Sequence, residues 1–225
     1  MTTQQAVSTG SRRRGAGVLI AAAVGFVLLY LATDFVTPNF ASSTLPLPND
    51  PVADVRDWYA DNQLAAVLMG VTQFLSVSSL AVFVTRLPGV VRTVAQQVAA
   101  ERARIWGLAA VALMMLSSAL AWLLAAMAPS ASLDTVSVLR TSNFIAGGTA
   151  HVLALGVFVL LAARMPGFGK PVRVLAYVAA VVSALSLSSL FFFQGAAFIL
   201  LGRLLCMVWT VSAAVSITRR MSKGE

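Results

Sequence analysis

Charge is what this sequence has least of. Aspartate, glutamate, lysine and arginine make up 11% of its 225 residues, where a soluble domain carries about a quarter. So few charges cannot cover a water-facing surface, which excludes a soluble globular domain. Disorder is excluded as well, because 59% of the residues are hydrophobic and disordered chains have low hydrophobicity. Cysteine is nearly missing: Cys206 stands alone, so there is no disulfide framework, cysteine zinc site or CxxC redox pair. His151 is the only histidine. It cannot supply the three or four ligands of a zinc site, nor the axial ligands a haem protein normally wants. We therefore expect no metal and no cofactor. No Walker loop, GxGxxG, HExxH or hydrolase-spaced serine, histidine and acid occurs. The Asp-rich motif of intramembrane prenyltransferases and the double-cysteine motif of quinone reductases are absent too. No span is visibly split by Gly/Pro in both halves, as in large secondary transporters. No catalytic residue emerges.

What the sequence has is long apolar runs, with a mean hydropathy of +0.86. A helix crosses a bilayer core with about 20 mainly apolar residues. Gly17 to Val36, Gln63 to Thr85, Ile105 to Met127 and Thr141 to Ala163 each qualify, and Val172 to Ile217 is long enough for two spans folded at Gln194-Gly195. The fold class expected is all-α: a polytopic bundle of six transmembrane helices over residues 16–219, between an irregular basic tail (1–15) and a basic end (220–225). The first span exceeds the 7–15-residue core of a cleavable signal and reads as a retained helix.

The charges then sort by side. With the N-terminus inside, one face receives 13 of the 16 basic residues, from Arg12, Arg13 and Arg14 through Arg86, Arg92, Arg102, Arg104, Arg164, Lys170 and Arg173 to Arg219, Arg220 and Lys223. The other loops receive Arg56 and Arg140 against Asp50, Asp54, Asp57, Asp61 and Asp134. This positive-inside pattern predicts a plasma-membrane protein with both termini cytoplasmic. The net charge of +8 is thus a topology signal. A nucleic-acid partner would want one basic face with interleaved aromatics, so none is expected. Attraction to anionic inner-leaflet lipid is the expected consequence.

Two loops carry apolar stripes. In the first outer loop the prolines forbid regular helix until Pro51, Asp50 is placed as an N-cap, and Val52, Val55, Trp58 and Tyr59 predict a short amphipathic helix at the outer surface with its aromatics at headgroup level. The inner loop from Pro88 to Arg104 predicts a second one, through Val91, Val94 and Val98. Asp54, Asp57 and Asp61 share a face. Hard cations want several oxygen ligands, but nothing resembles a calcium loop, and a solvated face is the simpler reading.

Ionisable groups inside a membrane are costly and mark candidate sites. There are three here: Asp34, His151 and Arg203. Asp34 and Arg203 lie at similar depth near the outer side. They either pair, or Arg203 snorkels outward while Asp34 sits in water. Arg203, Cys206 and Thr210 share a face that points to protein or a cleft. Asn143, Gly147 and His151 follow at i, i+4 and i+8, and Gln73, Ser117, Ser118 and Ser186 fall at comparable depth. Together they either line a midplane pocket or simply bond the helices to one another. Gly70 to Gly89 aligns without gaps on Gly148 to Gly167, matching Gln73 to His151, as an internal repeat or as generic helix-end grammar. Gly17, Ala21 and Gly25 form a small-residue face for close helix contact, within the bundle, with a second copy or with a membrane partner. Trp106 and Trp122 read as interface anchor and packing residue, and Trp209 as core.

The proline-bearing outer loop, the stretch from Asp50-Pro51 to Tyr59-Ala60-Asp61-Asn62, the corners Arg86-Leu87-Pro88-Gly89 and Arg164-Met165-Pro166-Gly167, and a last span carrying Trp209 then Arg219-Arg220 resemble bacterial six-helix integral membrane proteins of the uncharacterised, domain-of-unknown-function type. The resemblance implies topology and lends no catalytic residue. Three functions follow. The leading one is a non-enzymatic subunit, scaffold or regulator acting through helix packing. The second is a small carrier or proton-linked permease using Asp34, His151 and Arg203. The third is an enzyme on a lipid or isoprenoid. The last two require a midplane cavity that touches His151, and the first expects packing there.

Overall fold

A computed structural model describes residues 3–87, 94–165 and 167–223, with side chains over 15–87, 97–165 and 167–220. The corner residues Pro88, Gly89 and Pro166, the stripe residue Val91 and Arg92 lie outside the described residues.

The chain forms α1 (Thr3–Phe40), α2 (Val52–Asp61), α3 (Gln63–Arg86), α4 (Val94–Met127), α5 (Leu133–Asn143), α6 (His151–Ala162), α7 (Lys170–Leu185) and α8 (Ala196–Lys223). A π-helical segment, Phe144–Ala150, joins α5 to α6, and two 3-10 segments, Ser186–Leu190 and Phe193–Gly195, make the hairpin between α7 and α8. Among the described residues, six stretches are long and apolar enough to cross a membrane: Gly15–Phe40, Gln63–Arg86, Gln97–Met127, Leu133–Ala162, Lys170–Leu190 and Phe193–Arg220. The protein is a multi-pass membrane bundle, with the hairpin folded where Gln194-Gly195 predicts.

The spans form a closed ring in chain order. α1 packs on α3, α3 on α4, α4 on α6, α6 on α7, α7 on α8, and α8 returns to α1, while α6 also reaches α8 across the centre. Alternating passes put the termini and the Arg86 and Arg164 corners at one end, here called the basic end, and α2 with the hairpin at the other. The core at the basic end is aromatic. Phe83 and Phe158 meet edge to face at 6.4 Å, Phe158 and Trp209 do so at 5.9 Å, and Phe168 covers Trp209 at 5.8 Å. The α6–α7 corner there turns through Gly167 at φ 115°, a conformation that side chains rarely adopt.

Local expectations change in four places. Pro38 lies inside α1 rather than in a loop. It falls in the last turn, where its missing N–H costs one bond, to the Asp34 carbonyl, and the helix ends two residues later. α1 also reaches back to Thr3, so the helix includes most of the segment read as an irregular tail. Asp50 does not cap α2; its Oδ2 accepts from the Leu47 N–H at 2.6 Å, closing the preceding turn, and Pro51 occupies the cap position without a side-chain bond. The inner stripe makes no separate helix among the described residues, because from Val94 onward it is the start of α4. Arg104 in that stretch pairs with Glu101 at 2.8 Å.

α2 is amphipathic, as its spacing predicts, but it turns its apolar face to the bundle. Trp58 is buried with Val36, Ala65, Ala66 and Ala125, and its Nε1–H donates to the Ser43 carbonyl at 3.0 Å. The reason is the chain between α1 and α2, which folds over the indole and gives its N–H a partner. Asn62, between α2 and α3, ties this cap together. Its Oδ1 accepts from the Ser42 N–H (2.7 Å) and hydroxyl (3.0 Å), and its amide donates to the Trp58 carbonyl at 2.9 Å. Arg140 clasps the same loop through the Asp50 carbonyl at 2.8 Å.

Candidate functional site

Beneath that cap, in the half of the bundle away from the basic end, lies a cavity of about 250 Å³. α3 contributes Ala66, Met69, Gly70 and Gln73, α4 contributes Met114, Ser117 and Ala121, and α8 contributes Ile199 and Arg203. The α5–π junction contributes Asn143, Phe144, Gly147 and Gly148, and the cap contributes Leu45 and Tyr59. Tyr59 thus points to the cavity rather than to a headgroup layer. Its burial pushes the phenol up to about 12, because the charged form loses its water.

Arg203 is the centre of the site. Its side chain is only 8% exposed. Nη1 donates to the Tyr30 hydroxyl of α1, and Nη2 donates to the Gly147 carbonyl of the π segment. The guanidinium carbon also sits 4.8 Å from the centre of the Tyr30 ring, a cation–π arrangement. One side chain therefore ties the first, fourth and sixth spans together. Neither predicted arrangement occurs. Arg203 points inward instead of snorkelling, and Asp34 is exposed on α1 and makes no ion pair with it. The reason is local supply: the phenol and a backbone carbonyl at the same depth offer acceptors that spare Arg203 the longer reach.

The π segment supplies one of those acceptors. Its wider turn is closed by i→i+5 bonds, an uncommon geometry that recurs at functional sites. It also allows a close approach to α4. A Cβ at Gly147 would collide with the Ser117 hydroxyl, which donates to Asn143 Oδ1 at 2.5 Å.

The same turn separates residues that α-helical spacing puts together. Asn143 and Gly147 line the cavity, but His151 does not. It is 0% exposed, and its Nδ1 lies 2.8 Å from the Ala110 carbonyl. A carbonyl only accepts, so Nδ1 carries the proton, and Nε2 has no partner among the described residues. Of the predicted midplane set, the structure brings together Gln73, Ser117, Asn143 and Gly147 around one space and leaves out His151; of the two ionisable residues expected nearer the outer side, Arg203 lines that space and Asp34 does not. Ser118 and Ser186 bond instead to nearby carbonyls, of Met114 at 3.1 Å and Ser183 at 2.6 Å. Of the residues matched by the repeat, Gly70 and Gly148 both line the cavity, whereas Gln73 does and His151 does not. Arg203, Cys206 and Thr210 are all buried, as their shared face predicts, and so is Trp209. Sequence reasoning missed Tyr30, although a tyrosine within an apolar span needs a hydroxyl partner and was itself a signal.

The remaining candidates are peripheral. Asp54, Asp57 and Asp61 lie exposed along α2, and Asp57 is held by its neighbour Arg56 at 2.9 Å. No group of three His, Cys, Asp or Glu side chains suited to a metal occurs among the described residues. On α1, Gly17 and Ala21 are exposed, while Gly25 faces Ser79 of α3 closely enough that a Cβ would sit 3.1 Å from its hydroxyl. No known protein family, curated protein or solved structure matches the chain.

Proposed function

We propose that the protein is a non-enzymatic plasma-membrane protein with cytoplasmic termini, a subunit or regulator that acts through helix contacts, its state set by what occupies the cavity. The observation that carries this reading is the Arg203 clasp. The residue that lines the cavity also holds three spans through Tyr30 and Gly147, so an occupant acts on the packing of the whole bundle. The composition of the cavity favours binding over chemistry: it offers amides, hydroxyls, thioethers and a guanidinium, but no carboxylate or imidazole to move a proton. The basic end carries the positive-inside signal that supports cytoplasmic termini. The exposed Gly17 and Ala21 positions on α1 are the surface we assign to a second copy or a partner helix.

A second reading, a small carrier, draws support from the same polar-lined cavity, but His151, which that reading requires at the cavity, is packed away from it. Alternating access would need a path to the basic end, where Phe83, Phe158 and Trp209 now fill the core.

Cysteine crosslinking tests the main reading. Cys206 is buried, so Gly17→Cys or Ala21→Cys introduces a single surface thiol in native membranes. The expected result is a crosslinked product, to a copy or to a partner, that weakens when Arg203→Gln is added to a protein that still inserts. If no product forms from either position, the contact reading falls. Solute uptake by vesicles containing the purified protein would favour the carrier instead.

A further inference from the structure

We propose that the cavity takes a small monocarboxylate with a short apolar body, its carboxylate against Arg203. This rests on reading the cavity as a ligand site and names the class of ligand.

The argument begins with a charge imbalance. A guanidinium has five N–H donors. Two are used here, and both go to neutral acceptors, the Tyr30 hydroxyl and the Gly147 carbonyl. Nε is buried and has no hydrogen-bond partner among the described residues. No aspartate or glutamate lines the cavity, and Asp34, one helical turn beyond Tyr30 on α1, is exposed and makes no ion pair with Arg203. A buried charge without a counter-charge is costly, and a carboxylate is the partner whose two oxygens match a guanidinium edge.

The rest of the cavity fits the same ligand. Gln73, Asn143 and Tyr59 line it, and each can donate to an oxyanion. Met69, Met114 and Ile199 give it apolar walls. The site therefore offers one positive charge, neutral donors, no negative charge and an apolar remainder. A monoanion neutralises Arg203, whereas a dianion such as a phosphate monoester leaves an excess charge in a low-dielectric interior. A water molecule takes about 30 Å³ of liquid volume, so a cavity of about 250 Å³ holds a body of several non-hydrogen atoms.

The experiment uses the full chain in nanodiscs, titrated with hexanoate, with hexanamide of the same shape but no charge, and with hexyl phosphate. Binding is read by calorimetry and by the shift in unfolding temperature. Hexanoate is expected to bind and to raise the unfolding temperature. Hexanamide is expected to bind roughly 10- to 100-fold more weakly, the difference a charge-assisted pair confers. Arg203→Gln is expected to remove that preference. A second variant guards against a misfolded Arg203→Gln. Asn143→Asp keeps the acceptor for the Ser117 hydroxyl and builds a carboxylate into the same cavity, so it should fold and lose the hexanoate response. Equal binding of hexanamide and hexanoate, stronger binding of hexyl phosphate, or an undiminished hexanoate response in Asn143→Asp overturns the monocarboxylate and leaves the cavity as a ligand site. If none of the three probes binds, the ligand-site reading falls with it.

Discussion

The two halves of this bundle are built from the same helices and held together differently. Towards the basic end, Phe83, Phe158, Phe168 and Trp209 interlock through ring contacts, and cohesion there comes from shape. Towards the other end, Arg203, Tyr30, Asn143 and Ser117 link helices through directed hydrogen bonds around open space, and cohesion comes from pairing. Lipid tails are as apolar as any side chain, so helices in a membrane gain little from burial and rely on packing and on hydrogen bonds. The protein uses packing in one half and hydrogen bonds in the other. A fully packed half resists change, whereas a half with spare volume and uncommitted donors can respond to an occupant.

That contrast can be broken or sharpened by substitution. The largest effect is expected from Phe158→Ala, which deletes the ring shared by Phe83 and Trp209; a loss of about 3–5 kcal/mol in reversible unfolding is typical for such a cavity. A loss below about 1 kcal/mol would mean that the aromatic half is not the rigid one. Gly147→Val forces a branched side chain into the Ser117 hydroxyl and should cost about 1–3 kcal/mol as overpacking, with Ser117→Ala restoring part of it; absence of rescue would place the strain elsewhere. Asn143→Ala removes the acceptor of the Ser117 hydroxyl, an effect near 0.6 kcal/mol for an average interhelical hydrogen bond in a membrane, measured in a double-mutant cycle with Ser117→Ala.

A pH test probes the cap over the cavity. With its phenol held at about 12 when folded, against about 10 when unfolded, Tyr59 retains its proton more tightly in the folded state. Its contribution is therefore complete below pH 10 and is lost as pH rises from 10 to 12. Wild-type stability should fall across that window more steeply than that of Tyr59→Phe, and identical profiles would place the phenol in water. The smallest effect belongs to Asp34→Asn: an exposed group without Arg203 as partner should change stability by no more than about 0.5 kcal/mol. A large loss would restore the pairing that the structure lacks.

The spans were legible because hydropathy over some twenty residues averages out local detail, whereas the hairpin was legible from a stretch too long for one span and from the local Gln194-Gly195 pair that interrupts it. Buried positions such as Trp209 and the Arg203–Cys206–Thr210 face follow from helical spacing within one element. What sequence did not show depends on two elements meeting. Trp58 turns inward only because the preceding loop covers it, and Arg203 ignores Asp34 only because Tyr30 and Gly147 are closer partners. Pro38 in the last turn of α1 shows a third limit: a proline near a helix end stops nothing. For the candidate site, Gln73, Asn143 and Arg203 were readable as intramembrane polar residues, whereas the exclusion of His151 required knowing where its helix departs from regular winding.

That departure makes the fourth span two helices out of phase. Asn143 and, within the π segment, Phe144, Gly147 and Gly148 line the cavity, and from Ala154 onward the buried residues belong to the aromatic core. The π segment between them acts as a phase shifter that lets one continuous span address two unlike surroundings. A π turn holds one residue more than an α-helical turn, so removing one residue between Phe144 and Ala150 and letting the turn tighten would leave the two parts close to their present orientation. Removing one residue from the regular helix on either side would instead rotate one part against the other by about 100°, the angle of one α-helical residue. The segment is therefore where this span best absorbs a change of length, even though it contains only small and apolar residues.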